Sequence, residues 1–145
     1  MAAPCPNNSI GIHIPSGCQC NVNAGYLGIV NASLIPPVYA TSTCQIIDCP
    51  NTSTGNNVGQ GCSCKSGSFG IITPLNKVPW FIDTCIAVVC PVNSTGSNVR
   101  DGCTCNAGFS GSVIATTIAP DYFVNGCTAV SCPSFRFFVF VFCLI

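Results

Sequence analysis

The chain carries little charge and almost no acid–base chemistry. Of its 145 residues only 6% are charged, Glu is absent, and His13 is the single histidine. Four Lys and Arg balance four Asp, so the net charge is zero and no basic face is present for phosphate backbones. This composition excludes ordinary nucleic-acid binding and leaves few candidates for general acid–base catalysis. We therefore expect neither an enzyme nor a cofactor.

An apolar stripe of 3.6-residue period is also missing, so helices are not expected. A hydrophobic fraction of 48% excludes a solvated disordered chain. What the chain has is cysteine: 14 residues, a density typical of disulfide scaffolds. Because such cross-links need an oxidising compartment, we expect an extracellular or cell-surface location.

The cysteines define a tandem repeat. Cys-Pro occurs at Cys5, Cys49, Cys90 and Cys132. Each unit reads C-P-x-x-S-x-G-x-x-[IV]-x-x-G-C-x-C, then G-x-x-G, a variable stretch, and C-x-x-x-x-C-P. The predicted organisation is three whole repeats and a truncated fourth repeat or hydrophobic tail, with bounds 1–48, 49–89, 90–131 and 132–145.

Each repeat is predicted to be an irregular loop followed by a β-hairpin. The loop is rich in Asn, Ser and Gly, as in residues 51–61. β-Type runs follow it, such as residues 71–73 and 85–90, and the hairpin tip between them varies in length. A unit of this size buries too little apolar surface to offset its chain entropy, so it needs covalent cross-links.

The residues alone leave the cysteine chemistry open. Adjacent Cys-x-Cys partners are poorly placed to bridge each other, and connectivity cannot be deduced from sequence. Zinc modules usually close with C-x2-4-C pairs, whereas intervals above 20 residues separate some cysteines here. Disulfides are therefore favoured, and no metal site is expected.

One segment resembles a known family. Gly102-Cys103-Thr104-Cys105-Asn106-Ala107-Gly108-Phe109-Ser110-Gly111 resembles the second half of an EGF-like domain, with C-x-C-x-x-G-aromatic before a last Cys. Residues 61–70 and 17–28 are similar, with a shifted aromatic and two extra residues respectively. The resemblance supports pairing the first Cys with the second and the third with the fourth in each repeat: Cys5–Cys18, Cys20–Cys44, Cys49–Cys62, Cys64–Cys85, Cys90–Cys103 and Cys105–Cys127. Cys132 and Cys143 are left over.

The resemblance implies a small disulfide-rich all-β fold of tandem EGF-like repeats in an elongated array. It has limits: each repeat has four cysteines where the family has six, and no acidic calcium signature precedes the first Cys. No calcium or ligand site is carried over. The layout is also similar to Cys-rich tandem repeats of eukaryotic cell-surface proteins, including those of protists.

Four Asn-x-Ser/Thr sequences are candidate glycosylation sites. Asn7, Asn51 and Asn93 lie two or three residues after the Cys of a Cys-Pro, and Asn31 lies in the first hairpin stretch. The alternative is that these residues only form turns. Because three sequences recur near one repeat position, we favour modification.

Other chemistry-bearing residues have structural explanations. His13 aligns with Asn57 and Asn98, a polar loop position, and the four Asp share no repeat position. Trp80-Phe81 is expected to pack over a disulfide; the alternative is an apolar contact surface. Cys143 has no acid or base nearby, which favours an unpaired remnant or a bridge to Cys132 over a nucleophile.

The chain ends raise a conflict. No signal peptide is visible before Cys5, although disulfides need an oxidising compartment. A fragment of a longer precursor resolves it, and membrane contact is expected only through missing parts of that precursor. Residues 135–145, FRFFVFVFCLI, are too few to span a bilayer. A gene-model artefact is favoured over a buried strand or the start of a membrane segment.

The leading functional hypothesis is an extracellular structural or adhesive repeat segment: a surface filament, matrix component or spacer. Expected partners are copies of itself, other surface proteins and glycans. The first alternative is a ligand-binding receptor ectodomain that uses one hairpin tip. A protease-inhibitor-like module is a further alternative.

Overall fold

The computed structural model describes residues 2–36 and 39–131. Predictions about Cys132, Cys143 and the tail 135–145 lie outside the described residues. Within them, the regular elements are short strands and two 3-10 turns, Ile14–Ser16 and Val22–Ala24. The fold is the small disulfide-rich all-β class that the sequence predicts, although the two short turns were not expected.

Each repeat contains six strands in the same order. Repeat 1 has β1 Ser9–Ile10, β2 Gln19–Cys20, β3 Tyr26–Leu27, β4 Val30–Ala32, β5 Ala40–Ser42 and β6 Gln45–Ile46. Repeat 2 has β7 Ser53–Thr54, β8 Ser63–Cys64, β9 Ser68–Phe69, β10 Ile72–Pro74, β11 Phe81–Asp83 and β12 Ile86–Ala87. Repeat 3 has β13 Ser94–Asn98, β14 Gly102–Cys105, β15 Phe109–Gly111, β16 Ile114–Ala115, β17 Phe123–Val124 and β18 Cys127–Ala129.

The six strands form three antiparallel pairs. An entry pair joins the first two strands (β1–β2, β7–β8, β13–β14). A closing pair joins the third to the sixth (β3–β6, β9–β12, β15–β18). A tip hairpin joins the fourth to the fifth (β4–β5, β10–β11, β16–β17). In the sequence, each tip hairpin thus lies between the two strands of its closing pair.

The entry pairs correct one expectation, since that stretch was predicted to be an irregular loop. A glycine makes the pairing possible. Gly55 has φ +146°, and a Cβ there would lie 2.6 Å from the Gly61 carbonyl oxygen and 2.9 Å from the Cys49 sulfur. Gly11 and Gly96 have the same surroundings in the other repeats. The chain therefore passes close to a disulfide at this glycine. The composition of the stretch does not predict its strands.

The tip hairpins are nearly equal in length, against the variation expected there. Seven residues connect Ala32 to Ala40 and Ala115 to Phe123, and six connect Pro74 to Phe81. The extra length of repeat 1 lies instead in the 3-10 turn before Gly25. That turn is capped by the Asn21 side chain, which accepts from the Ala24 N–H.

The apolar core is small. In the part of the chain that the structure describes, the buried hydrophobic residues are Cys20, Leu27, Ala40, Val58 and Val99. Five such side chains spread over three repeats bury far less apolar surface than a domain of this length normally does. The structure therefore depends on its cross-links, as small scaffolds do.

The chain forms two compact units. One contains residues 2–65 and 70–85 of the described chain, and the other contains residues 66–69 and 86–131. The division passes through repeat 2, because its closing pair β9–β12 belongs to the unit that contains repeat 3. The predicted repeat bounds remain a description of the sequence pattern.

Candidate functional site

Six disulfides join the cysteines as the resemblance implied, with the first paired to the second and the third to the fourth in every repeat. The Cα–Cα distances lie between 5.3 and 5.8 Å. The bridged residues are Cys5–Cys18, Cys20–Cys44, Cys49–Cys62, Cys64–Cys85, Cys90–Cys103 and Cys105–Cys127. Because only a thiolate attacks an electrophile or ligates a metal, these twelve sulfurs are not available for either role.

The four candidate glycosylation residues, Asn7, Asn31, Asn51 and Asn93, are all exposed. Asn93 has φ +63° in the turn before β13. Exposure on a loop or strand edge is what a glycan acceptor requires. These positions are therefore sterically open to modification.

The serine of each Cys-Pro-x-x-Ser motif has a structural role. The hydroxyl of Ser53 donates to the Pro50 carbonyl at 2.9 Å, and that of Ser94 donates to the Pro91 carbonyl at 2.6 Å. Ser9 does the same with Pro6. The serine thus stabilises the turn that follows each Cys-Pro, and the positive φ of Asn93 is also typical of an asparagine in a turn.

His13 lies at a turn-capping position. The equivalent Asn57 accepts from the Gln60 N–H at 2.9 Å, and Asn98 accepts from the Asp101 N–H at 2.9 Å. The His13 ring contacts the Ser16 hydroxyl, also three residues ahead, at 2.8 Å. Asn57 and Asn98 therefore cap the same turn, whereas His13 makes no capping hydrogen bond to the backbone and contacts the Ser16 side chain.

Two neighbouring side chains lower the pKa of Asp101. The Asn98 side-chain amide donates to its carboxylate at 2.6 Å, and the Arg100 guanidinium lies 3.3 Å away. These two donors, the amide first, lower the pKa of Asp101 below its ordinary value. Asp83 has a different role, since it accepts from the Thr52 hydroxyl and from the Cys85 N–H.

Successive repeats meet through a recurring junction. The Val58 N–H donates to the Ile47 carbonyl at 2.8 Å, and the Val99 N–H donates to the Val88 carbonyl at 2.7 Å. Both valines are almost fully buried, with exposures of 1% and 2%. The loop of each following repeat is thereby fixed to the closing pair of the repeat before it.

At the junction of repeats 2 and 3, the segment that contains strand β9 packs against the tip hairpin of repeat 3. The Gly67 N–H donates to the Thr116 carbonyl at 2.8 Å. The Phe69 ring lies 5.9 Å from the Tyr122 ring, measured between centroids. We call the residues of repeat 3 that lie against Gly67, Phe69 and Val88 the receiving surface: Val99, Arg100, Ala115, Thr116 and Tyr122.

Tyr122, the aromatic residue of the receiving surface, was not predicted from the sequence. Tyr39, Trp80 and Tyr122 each precede the fourth cysteine of their repeat by five residues. Each carbonyl accepts the same tip hydrogen bond, from the N–H of Ser33, Leu75 and Thr116 respectively. Trp80, half-buried with φ +71°, is thus one member of a repeated set. The spacing from the cysteine was the signal that identifies it.

Neither a metal centre nor a membrane-spanning helix is found in the part of the chain that the structure describes. No three His, Cys, Asp or Glu side chains there form a group that could hold a metal ion. No helix in that part is long and apolar enough to cross a bilayer.

The fold and these surfaces define the class of a small, disulfide-rich, repeated all-β protein. Comparison with family models, curated proteins and solved structures finds no match to this chain. The tandem pattern of bridges is compatible with EGF-like repeats. Six disulfides are typical of an oxidising compartment such as the secretory pathway.

Proposed function

We propose that this chain is a structural or adhesive segment of an extracellular array of EGF-like repeats, and that it is glycosylated on Asn7, Asn31, Asn51 and Asn93. The repeated junction carries this proposal. The buried Val58 and Val99, with their equivalent backbone hydrogen bonds, occupy the same place in successive repeats. An interface that recurs from repeat to repeat is how solenoid and spacer proteins are extended.

The low charge and the exposed apolar residues support contact with other surfaces. Leu34 is 96% exposed and Ile12 84% exposed, whereas only 6% of the residues are charged. A surface of this kind favours self-association or adhesion. Glycans at the exposed asparagines would keep the remainder of the surface soluble.

Electron microscopy of the secreted chain tests the structural part of the proposal. Extended particles or polymers at micromolar concentration are the expected result. Compact monomers that bind neither each other nor other surface proteins would contradict it. The shape is measured with glycans and after enzymatic deglycosylation, so that glycan-mediated association is separated from protein contacts.

Mass spectrometry tests the glycan part. Replacing Asn7, Asn31, Asn51 and Asn93 together by Gln removes the added mass if they are the acceptors. The matched control is Asn76→Gln, since Asn76 is also exposed but is not followed by Ser or Thr two positions later. Unmodified wild-type chain from a glycosylating secretory host contradicts the assignment.

The second candidate is ligand recognition by one hairpin tip. The observation that favours it is the apolar tip of repeat 1, where Leu34 and Ile35 are 96% and 75% exposed. A receptor fragment would lose its ligand on Leu34→Asp, while a spacer would keep its shape. The two functions are thus separated by one variant.

A further inference from the structure

A groove of about 370 Å³ lies beside Asn31, one of the candidate glycosylation residues. Its volume falls within the range of about 300–1,000 Å³ that is typical of small-molecule sites. We call it the Asn31 groove. Repeat 1 supplies most of its walls and the tip of repeat 2 supplies one residue, all within one of the two compact units. The walls include Gln19, Val22, Ile29, Val30, Asn31 and Asn76.

The groove has the chemistry of a site for a neutral sugar. None of the described residues that line it is charged, which disfavours an anion or a metal ion as its ligand. The exposed side-chain amides of Gln19 and Asn76 both donate and accept hydrogen bonds, as hydroxyl and acetamido groups require. Val22 and Ile29 are 45% and 47% exposed, so they offer apolar surface to the CH groups of a sugar ring.

The backbone of the strand that carries Asn31 adds further polar groups. Among the described strands, β4 pairs with β5 alone. The carbonyl of Ile29, one residue before β4, accepts from the Thr43 N–H at 3.0 Å. Because bonded and unbonded pairs alternate along an antiparallel ladder, the next residue, Val30, turns its N–H and C=O away from β5. Val30 lines the groove, so a donor and an acceptor of the open strand edge are available at its wall.

The residue that repeat 2 contributes to the groove is polar, unlike its equivalents in the other repeats. Counted back four positions from the aromatic residue that accepts each tip hydrogen bond, Asn76 corresponds to Ile35 and Ile118. Both isoleucines are exposed, at 75% and 69%. The strand position of Asn31 is occupied in repeat 2 by Thr73. The tip amide therefore accompanies the acceptor asparagine: the repeat after Asn31 presents Asn76, and the repeat after Thr73 presents Ile118.

The position of Asn31 at the wall decides which sugar fills the groove. A glycan attached to the Asn31 side chain begins at this wall, so its first sugar is an intramolecular ligand at a high effective concentration. Little translational freedom remains to be lost when that sugar binds. A free saccharide would have to displace it. The occupant that the groove favours is therefore the chain's own glycan.

We propose that the Asn31 groove binds the first N-acetylglucosamine of a glycan carried by Asn31. The amides of Gln19 and Asn76 hydrogen-bond its hydroxyl and acetamido groups, and Val22 and Ile29 pack against its ring. The sugar thus bridges repeat 1 and the tip of repeat 2 and has a structural role. This inference rests on the proposed glycosylation of Asn31 and deepens it by naming the protein surface that holds the glycan.

The first experiment compares the amide NMR signals of two labelled, oxidised chains from a glycosylating secretory host. In one chain the other three candidate asparagines are replaced by Gln, so that only Asn31 carries a glycan; in the second, Asn31 is replaced as well. The glycan is expected to shift the amides of Gln19 and Asn76, which are distant from Asn31 in sequence. The matched control keeps only Asn51, which is exposed and also followed by Ser two positions later. Its glycan should leave both amides unchanged.

The second experiment measures how fast an amidase that cleaves the bond between Asn and its first sugar releases the glycan from the folded chains, as seen by intact mass. Because the enzyme acts only on the unbound fraction, release from Asn31 should be at least about threefold slower than release from Asn51. Asn76→Ala should raise the release rate at Asn31, since it removes a hydrogen-bonding partner of the sugar. Ile118→Ala alters the equivalent tip residue of repeat 3 and is the control; it should leave that rate unchanged.

Failure of the groove proposal is distinguishable from failure of the proposed glycosylation. A fully glycosylated Asn31 whose sugar shifts neither Gln19 nor Asn76, or is released as fast as the sugar of Asn51, overturns the groove and leaves the glycosylation in place. Equal release rates at Asn31 with and without Asn76→Ala also overturn it. An Asn31 that stays unmodified in the secreted chain refutes the glycosylation of this residue, and the groove proposal with it.

Discussion

At the scale of the residue, the buried Ser68 side chain lowers the stability of the fold. Its side chain is 3% exposed, and its hydroxyl has no hydrogen-bond partner among the described residues. A buried hydroxyl without a partner carries a desolvation penalty of about 1–3 kcal/mol. Ser68 stands where repeats 1 and 3 have Tyr26 and Phe109. The aromatic shifted by one residue, to Phe69, so that it faces Tyr122.

Ser68→Ala is expected to raise the free energy of unfolding by about 1 kcal/mol, because it removes an unpaired polar group with little change in volume. The control is Ser53→Ala: Ser53 is also buried, at 6% exposure, but donates to Pro50. That variant should lose about 1 kcal/mol. Denaturant unfolding of oxidised, unglycosylated protein measures both, and destabilisation by Ser68→Ala would falsify the assignment of an unpaired hydroxyl.

The lowered pKa of Asp101 predicts that the stability of the fold depends on pH. Its pKa is lowered by the Asn98 amide and by Arg100, so the ionised form stabilises the folded state above the unfolded pKa of about 3.9. This stabilisation is lost as the pH falls below about 4 through the folded pKa. The midpoint of unfolding should therefore fall less between pH 5 and pH 2 for Asp101→Asn than for wild type. Because the carboxylate is exposed, the difference is small; parallel curves contradict the prediction.

At the scale of the element, the last glycine of each G-x-x-G lies between the third and fourth strands of its repeat, in a conformation that favours glycine. Gly70 has φ +128°, and a Cβ there would lie 2.1 Å from the Thr84 carbonyl oxygen. Gly70→Ala should therefore lose more than about 1 kcal/mol. Gly126→Ala is the matched control, since a Cβ there meets nothing within 4 Å. Thermal unfolding of both variants measures the difference, and equal midpoints contradict the account.

The receiving surface predicts unequal effects at equivalent tyrosines. Tyr122→Ala removes the ring that meets Phe69 and should lose about 2 kcal/mol. Tyr39 is 45% exposed, so Tyr39→Ala should change stability by less than about 0.5 kcal/mol. Denaturant unfolding gives both values. Similar losses of stability at the two positions would mean that the tyrosine ring stabilises only its own hairpin, and would contradict a role for the Tyr122–Phe69 contact.

Much of the element order was predictable, because the cysteines fix the repeat and the β-type runs 71–73 and 85–90 overlap the strands β10 and β12. The entry pairs were not predictable from composition. Asn, Ser and Gly dominate that stretch, and its pairing depends on the close crossing of Gly55 over the Cys49 sulfur. The receiving surface was missed because its residues come from two segments of a repeat that only the folded tip hairpin brings together.

At the scale of the whole molecule, disulfides supply the stability that a larger hydrophobic core would otherwise provide. Among residues 2–36 and 39–131, the buried hydrophobic residues are only Cys20, Leu27, Ala40, Val58 and Val99. Bridges closing loops of 13 to 24 residues each contribute roughly 3 kcal/mol in the chain-entropy model. Reduction is therefore expected to unfold the described chain at room temperature, as seen by loss of amide dispersion in an NMR spectrum. A reduced chain that keeps its dispersion contradicts this prediction.

Peptide mapping of the native secreted chain under non-reducing conditions tests the central point most directly. Six linked peptide pairs are expected, each joining cysteines of one repeat: first with second, and third with fourth. Free thiols at these twelve positions, bound zinc, or bridges from one repeat to another would contradict it.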